Sequence, residues 1–239
     1  FDEELHLKSS FSKNATTAGD GSSFLDASDI SGASSLMHFE SASQHYLVAS
    51  NFWDGAQTLT PSVIFKLGLD DIDVDKIVVP VQRILTRGAR EFQHLSLHGC
   101  EFLAVASFLD GLQIYRWNSS VDESNVMNVG RSTGASAVKK FSAGDKLYLV
   151  VPRYFNSGLY SIDSRIYEVK GKDDQSCEIV LEEAQNLSTS AAQNVEYMTI
   201  DKAHYLAFAS NSLNDAVNVF VWEDKFEGSP DFKFLQSLS

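Results

Sequence analysis

The sequence predicts an all-β fold: a β-propeller built of four-stranded antiparallel blades, with four repeats recognisable and forming part of a larger ring. Three observations carry that expectation. One set of features recurs in the same order four times along the 239 residues, at spacings of 46 to 57, which is the length of a propeller blade. Each unit holds one near-continuous run of small and branched apolar residues, which suits a strand packed on both faces between neighbouring blades. Length variation falls at one equivalent point of every unit, as it should in a loop.

The repeat is anchored on a Gly-Ala or Ser-Ala type of pair, with anchor alanines Ala33, Ala89, Ala135 and Ala192. Three residues on stand Leu36, Phe92, Val138 and Val195; six on stand Phe39, Leu95, Phe141 and Met198. Fourteen on is always a leucine, Leu47, Leu103, Leu149 or Leu206, each preceded by an aromatic residue. Seven before the anchor lie Asp26, Gln82, Asn128 and Gln185.

Each unit then reads as four strands. The first runs from the anchor to the second apolar position. A short polar turn follows, at Ser41–Gln44, His98-Gly99, Ala143–Asp145 and Asp201–Ala203. The second strand is the most apolar, as in Phe102-Leu-Ala-Val-Ala106 and Tyr148-Leu-Val-Val151. A variable loop comes next, long at Trp53–Pro61 and Tyr154–Asp163, short at Leu109–Gly111. The third strand ends on aromatics, as in Gln113-Ile-Tyr-Arg-Trp117 and Asn218-Val-Phe-Val-Trp222. The fourth is polar, as a solvent-facing edge should be. Residues 1–23 read as a leader or partial-blade strand, and 24–239 as the repeat region, with Phe24–Ser31 resembling the outer strand of an earlier blade.

Composition narrows the function. Apolar residues make up 44% and charged residues 21%, so the chain is globular. Nineteen Lys and Arg against 32 Asp and Glu leave a net charge of −13, which argues against nucleic acid and anionic membrane surfaces as partners. The longest apolar run, Phe102–Leu109, is too short to span a bilayer. No signal peptide is read at the start, where Phe1 precedes Asp2, Glu3 and Glu4, and a start at Phe implies a processed, excised or partial chain. Three glycosylation sequons, at Asn14, Asn118 and Asn186, favour a secreted protein.

Several motifs are weak on inspection. His94 and His98 have metal-ligand spacing only on a helix, and here they fall on a strand and turn. Asp70–Asp75 resembles the start of a calcium loop, but Lys76 and Gln82 stand where glycine and glutamate are needed. Gly130–Ser136 has a phosphate-loop flavour yet lacks the Gly-Lys ending. No Gly-x-Ser-x-Gly elbow occurs. Two cysteines, Cys100 and Cys177, define no disulfide framework. Cys100 lies in a turn near the hub and Cys177 in a link near the rim of the next blade. An intrachain bond between them is therefore not expected; an interchain bond or two thiols is.

The stretches Gln82-Arg-Ile-Leu-Thr-Arg-Gly-Ala89, Phe102–Gly111 and Ile114-Tyr-Arg-Trp117, with Tyr46–Asn51 and Val63–Lys66 in the first unit, resemble the EPTP repeat, also called the EAR or epilepsy-associated repeat. That family includes the leucine-rich glioma-inactivated proteins and the thrombospondin-type laminin G domain and EAR repeat proteins. The resemblance covers residues 24–239. It implies an extracellular propeller for protein recognition, without catalysis, in which seven repeats close the ring. Four units open at both ends imply either further blades on another chain or segment, or closure aided by residues 1–30. Some family members hold calcium in the central channel through inner-strand acids, a role open here to Glu91 and Glu196. Partner contacts are expected on the variable loops, from Phe52, Trp53, Phe108, Tyr154, Phe155 and Tyr160. Two other readings stand beside this one: a propeller lectin binding glycans, or an enzyme or ligand carrier using the propeller channel.

Overall fold

The computed structural model describes residue 30 and residues 32–68, 78–129, 133–173, 177–211, 216–223 and 230–238. The leader, the Asn14 sequon, the acidic run at 70–75 and most of the expected early strand lie outside these residues.

Among the described residues, sixteen strands fall into four antiparallel sheets of four, each formed by consecutive strands. The first blade comprises β1 (Ala33–Ser41), β2 (Gln44–Asn51), β3 (Leu59–Leu67) and β4 (Val78–Arg87). The second comprises β5 (Ala89–Leu97), β6 (Cys100–Ser107), β7 (Gly111–Trp117) and β8 (Val121–Val129). The third comprises β9 (Lys139–Ala143), β10 (Lys146–Val151), β11 (Ser164–Gly171) and β12 (Ile179–Leu187). The fourth comprises β13 (Ala192–Ile200), β14 (Ala203–Ser210), β15 (Val217–Glu223) and β16 (Lys233–Leu238). The repeat read from the sequence is the repeat of the fold.

The columns of the repeat have identifiable physical causes. The residue before each anchor takes a left-handed conformation, with φ of 66°, 76° and 82° at Gly32, Gly88 and Gly134 and 48° at Ala191. A Cβ on Gly32 or Gly134 would run into the backbone carbonyl of Trp53 or Phe155, so only glycine fits there. The turns between inner and second strands place Ala42-Ser43, His98-Gly99 and Asp201-Lys202 at positive φ, the backbone twist a two-residue hairpin requires. Gln82 and Gln185, seven before their anchors, each clamp the next blade with a side-chain amide. Gln82 accepts from the Val121 N–H at 2.6 Å and donates to its carbonyl at 2.9 Å; Gln185 does the same to Phe232 at 2.9 and 2.8 Å.

The inner strand of the third blade begins four residues late, and Ala135 makes only an isolated bridge to Arg153. The cause is Pro152, which stands where Ser50 and Ala209 stand in the first and fourth blades and has no N–H to give the ladder.

Blades pack face to face through three aromatic and aliphatic clusters. Phe39, Tyr46, Phe92, Leu103 and Trp117 join the first to the second; Leu95, Phe102, Val138, Leu149 and Tyr167 join the second to the third. Phe141, Tyr148, Val195, Leu206 and Trp222 join the third to the fourth. Among the described residues, the first and fourth blades each pack against one other blade. Phe92, Val138 and Val195 are buried, while Leu36 in the same column is 65% exposed. Phe39, Leu95 and Phe141 are buried, while Met198 in theirs is 38% exposed. Inside the row, a blade of the same kind is what covers these positions.

That comparison makes a prediction. Val195→Ala removes two buried methyl-sized groups and leaves a void, costing about 2 kcal/mol. Leu36→Ala, in the same column, will cost less than about 0.5 kcal/mol in this chain alone. Urea unfolding of the two variants checks it; equal costs would mean that Leu36 is covered.

The cysteines correct the sequence expectation. Cys100 and Cys177 form an intrachain disulfide, with Cα atoms 5.6 Å apart and a sequence separation of 77. Hub-to-rim distance within one flat blade is the wrong measure. Strands twist relative to one another, so the outer hairpin of the third blade lies across the β5–β6 turn of the second. Gly171 sits beneath the His98 ring, where an added Cβ would meet Nδ1 at 2.9 Å. Leu97, Cys100, Leu147, Cys177 and Leu181 all pack on the same core.

Candidate functional site

Antiparallel connectivity sorts the loops onto two faces. The anchors, the β2–β3 type of loop and the blade-to-blade connections share one face, here termed the anchor face. The hairpin turns, the disulfide and Asn118 lie on the other. Asn118 and Asn186 are both exposed, Asn186 near the end of outer strand β12.

At the anchor face three of the four inner strands, β1, β5 and β13, start with a bulge. Register shifts between Ala33 and Ser35, Ala89 and Glu91, and Ala192 and Asn194, leaving Ser34, Arg90 and Gln193 as extra residues. Ser136 holds the equivalent place in the third unit. These residues and their successors converge from all four blades on one cavity of about 360 Å3, lined by Ser34, Ser35, Arg90, Glu91, Ser136, Ala137, Tyr154, Gln193 and Asn194.

Two bulge residues are structural stitches. Ser34 Oγ donates toward the Ala89 and Arg90 carbonyls of the next blade, each at 2.8 Å, and Ser136 Oγ reaches the Ala192 carbonyl at 2.7 Å. Arg90 breaks this pattern. Its guanidinium carbon lies 3.5 Å over the Phe52 ring and 5.8 Å from that of Phe108. Phe52 and Phe108 meet edge to face at 6.1 Å above Gly88. Burial pushes the Arg90 pKa down, with Tyr154 acting against it.

The aromatic loop residues divide into two groups. Phe52, Phe108 and Tyr154 stand at one repeat position, nineteen after the anchor, and their N–H groups donate to Gly32, Gly88 and Gly134 at 3.0, 2.8 and 2.9 Å. Asn211 completes the set with a 3.0 Å bond to Ala191, and its side chain donates to the Tyr154 hydroxyl at 3.3 Å. This set is half-buried or fixed by backbone. Trp53 and Tyr160 stand out from it, 44% and 51% exposed. Tyr160 packs its ring against Tyr154 and Phe155 at 5.4 and 5.0 Å.

Glu91 and Glu196 have different surroundings. Glu91 Oε2 accepts the Val138 N–H at 2.9 Å; burial pushes its carboxyl pKa up, while that hydrogen bond and Lys139 pull it down. Glu196 pairs with Lys139 at 2.9 Å. Among the described residues, no three His, Cys, Asp or Glu side chains gather in a way that could hold a metal ion. His94 is stacked on Phe39 at 4.9 Å, 3.8 Å from Glu101, with its pKa pushed down by burial. It is part of the seam between two blades.

Reading the sequence alone missed Arg90 and Gln193. Strand alternation turns Glu91 and Glu196, two and four residues after their anchors, to the channel and the first position away from it. The bulge brings the first position to the cavity as well. The signal was present in the column Ser34, Arg90, Ser136, Gln193, where one cation interrupts small and amide side chains.

Comparison with known proteins gives a consistent picture. The EPTP domain model matches residues 79–118 and 181–223. Thrombospondin-type laminin G domain and EAR repeat-containing proteins of Homo sapiens and Mus musculus are each 28% identical over 141 residues, covering 56% of this chain and 20% of the relative. The chain thus spans about a fifth of the length of these curated relatives. Among solved structures, a GH43 β-1,3-galactosidase is similar at a TM-score of 0.49 and 10% identity, over 80% of this chain and 42% of that one.

Proposed function

Because this chain carries EPTP repeats at 79–118 and 181–223, we propose that it is a non-catalytic, extracellular recognition module that binds a protein partner across its anchor face. The observation that carries this reading is the pair of exposed aromatics, Trp53 and Tyr160, on anchor-face loops of different blades, Tyr160 packed on the cavity-lining Tyr154. Large exposed aromatics on a rigid scaffold bind protein well, because they bury much area while losing little side-chain freedom. The repeats around them supply rigidity through buried strands and backbone clamps. A disulfide and two exposed sequons suit an oxidising, extracellular setting.

Binding of the secreted, fluorescently labelled chain to cell surfaces tests the proposal. Mild protease treatment of the cells should abolish binding, and enzymatic deglycosylation should leave it. Trp53→Ala with Tyr160→Ala should weaken binding at least ten-fold while the unfolding midpoint stays within a degree or two, since both rings are largely exposed. Binding that survives protease and is lost on deglycosylation would instead make the chain a lectin.

A further inference from the structure

We propose, building on the protein-recognition reading above, that the hub cavity receives a side-chain carboxylate of the partner, an aspartate or glutamate held by Arg90. Four observations converge on this.

Arg90 occupies a position whose equivalents Ser34 and Ser136 hydrogen-bond the next blade's backbone, and its side chain makes no such bond but lies against the Phe52 and Phe108 rings. It also lacks an acidic partner among the described residues, in a chain of net charge −13. Arg87 pairs with Asp110 and Arg165 with Glu183, each at 3.0 Å, although Arg165 Nε is also buried without a hydrogen bond. Arg153 donates to the Thr133 and Asp163 carbonyls. Arg90 Nε is buried without a hydrogen bond.

The Arg90 guanidinium is held in place rather than floating. Its central carbon lies 3.5 Å over the Phe52 ring, which covers it on that side. A planar fork held against a ring suits a planar, two-oxygen acceptor, and a carboxylate is the acceptor that matches it. The cation remains charged at any physiological pH.

The remaining wall supplies donors. The Gln193 side chain and Asn194 Nδ2 make no hydrogen bond among the described residues, and Asn194 Oδ1 is taken by the Val195 N–H at 2.8 Å. Ser35 Oγ is shared with Ser50 at 2.9 Å. The one acid of the wall, Glu91, is turned to the Val138 N–H at 2.9 Å.

The cavity is small, about 360 Å3, which suits one side chain and its backbone rather than a polymer. Trp53 and Tyr160 stand exposed on loops of the same face, so an acidic residue beside apolar ones is what fits. A peptide surface offers both together, and an inorganic anion does not. The net negative charge gives no long-range steering, so recognition is short-range and geometric.

The test is an NMR titration of the full, oxidised chain, following the Arg90 Nε–H resonance. The probes are N-acetyl-aspartate N-methylamide, its asparagine counterpart and free N-acetylneuraminic acid. The aspartate probe should give a saturable shift, at least ten-fold stronger in affinity than the asparagine probe. Arg90→Gln should lose that binding at least ten-fold, with the rest of the spectrum unchanged, and Arg90→Lys should recover only part of it. Equal binding of the asparagine probe, no shift at Arg90, unchanged binding by Arg90→Gln, or tighter binding of the sialic acid would each overturn the proposal. In the cell-surface assay, Arg90→Gln binding as well as the parent would overturn the carboxylate site alone. Loss of binding on deglycosylation would instead overturn the protein-recognition reading beneath it.

Discussion

Replacing both cysteines, Cys100→Ser with Cys177→Ser, will lower the stability of the chain by about 4 kcal/mol, on a chain-entropy estimate for a loop of this length. The closed loop spans a separation of 77 and contains three of the four strands of the second blade and three of the four of the third. Without the bond, the unfolded chain regains the freedom of that whole loop. The folded state loses little in exchange, because Leu97, Leu147 and Leu181 still pack around the site. The melting temperature should fall by roughly 10 °C for a domain of this size. Urea unfolding should show a lower midpoint with a similar slope in the folded-to-unfolded transition. A loss below about 1 kcal/mol would mean that the two blades are held by packing alone.

Much of this fold was legible before any coordinates. Apart from β9, the inner strands start at the anchor alanines, and every second strand holds the leucine fourteen residues later. Periodicity of that kind is a statement about which side chains face a neighbouring blade, and burial rewards it equally in every copy. The misjudged features are those that depend on relations between copies. The Cys100–Cys177 bond arises from twist between adjacent sheets, which one repeat unit does not express. The short inner strand of the third blade comes from a single residue, Pro152, acting on the partner strand.

The site was legible in part. The sequence pointed to the loop aromatics as a group, whereas the structure gives them different tasks. Phe52 and Phe108 form the platform under Arg90, and Trp53 and Tyr160 remain exposed. Hydrophobicity alone does not separate a supporting ring from a presented one; the backbone hydrogen bond to the left-handed residue does. Arg90 escaped notice because a bulge shifts the alternation by one residue.

Glycan placement tests the central claim, recognition across the anchor face, most directly. Asp54→Asn with Ala56→Thr creates a sequon in the β2–β3 loop next to Trp53. The loop should tolerate it. Both residues are exposed, and the Asp54 Oδ1 that accepts the Ala56 and Gln57 N–H groups at 2.8 and 2.7 Å has an equivalent in asparagine. Asn118, on the opposite face, serves as the control. Cell-surface binding should fall at least ten-fold when a mass shift confirms the new glycan, while a glycan on Asn118 leaves binding intact. Full binding by the chain glycosylated in the β2–β3 loop, or loss of binding caused by the Asn118 glycan, would contradict the account.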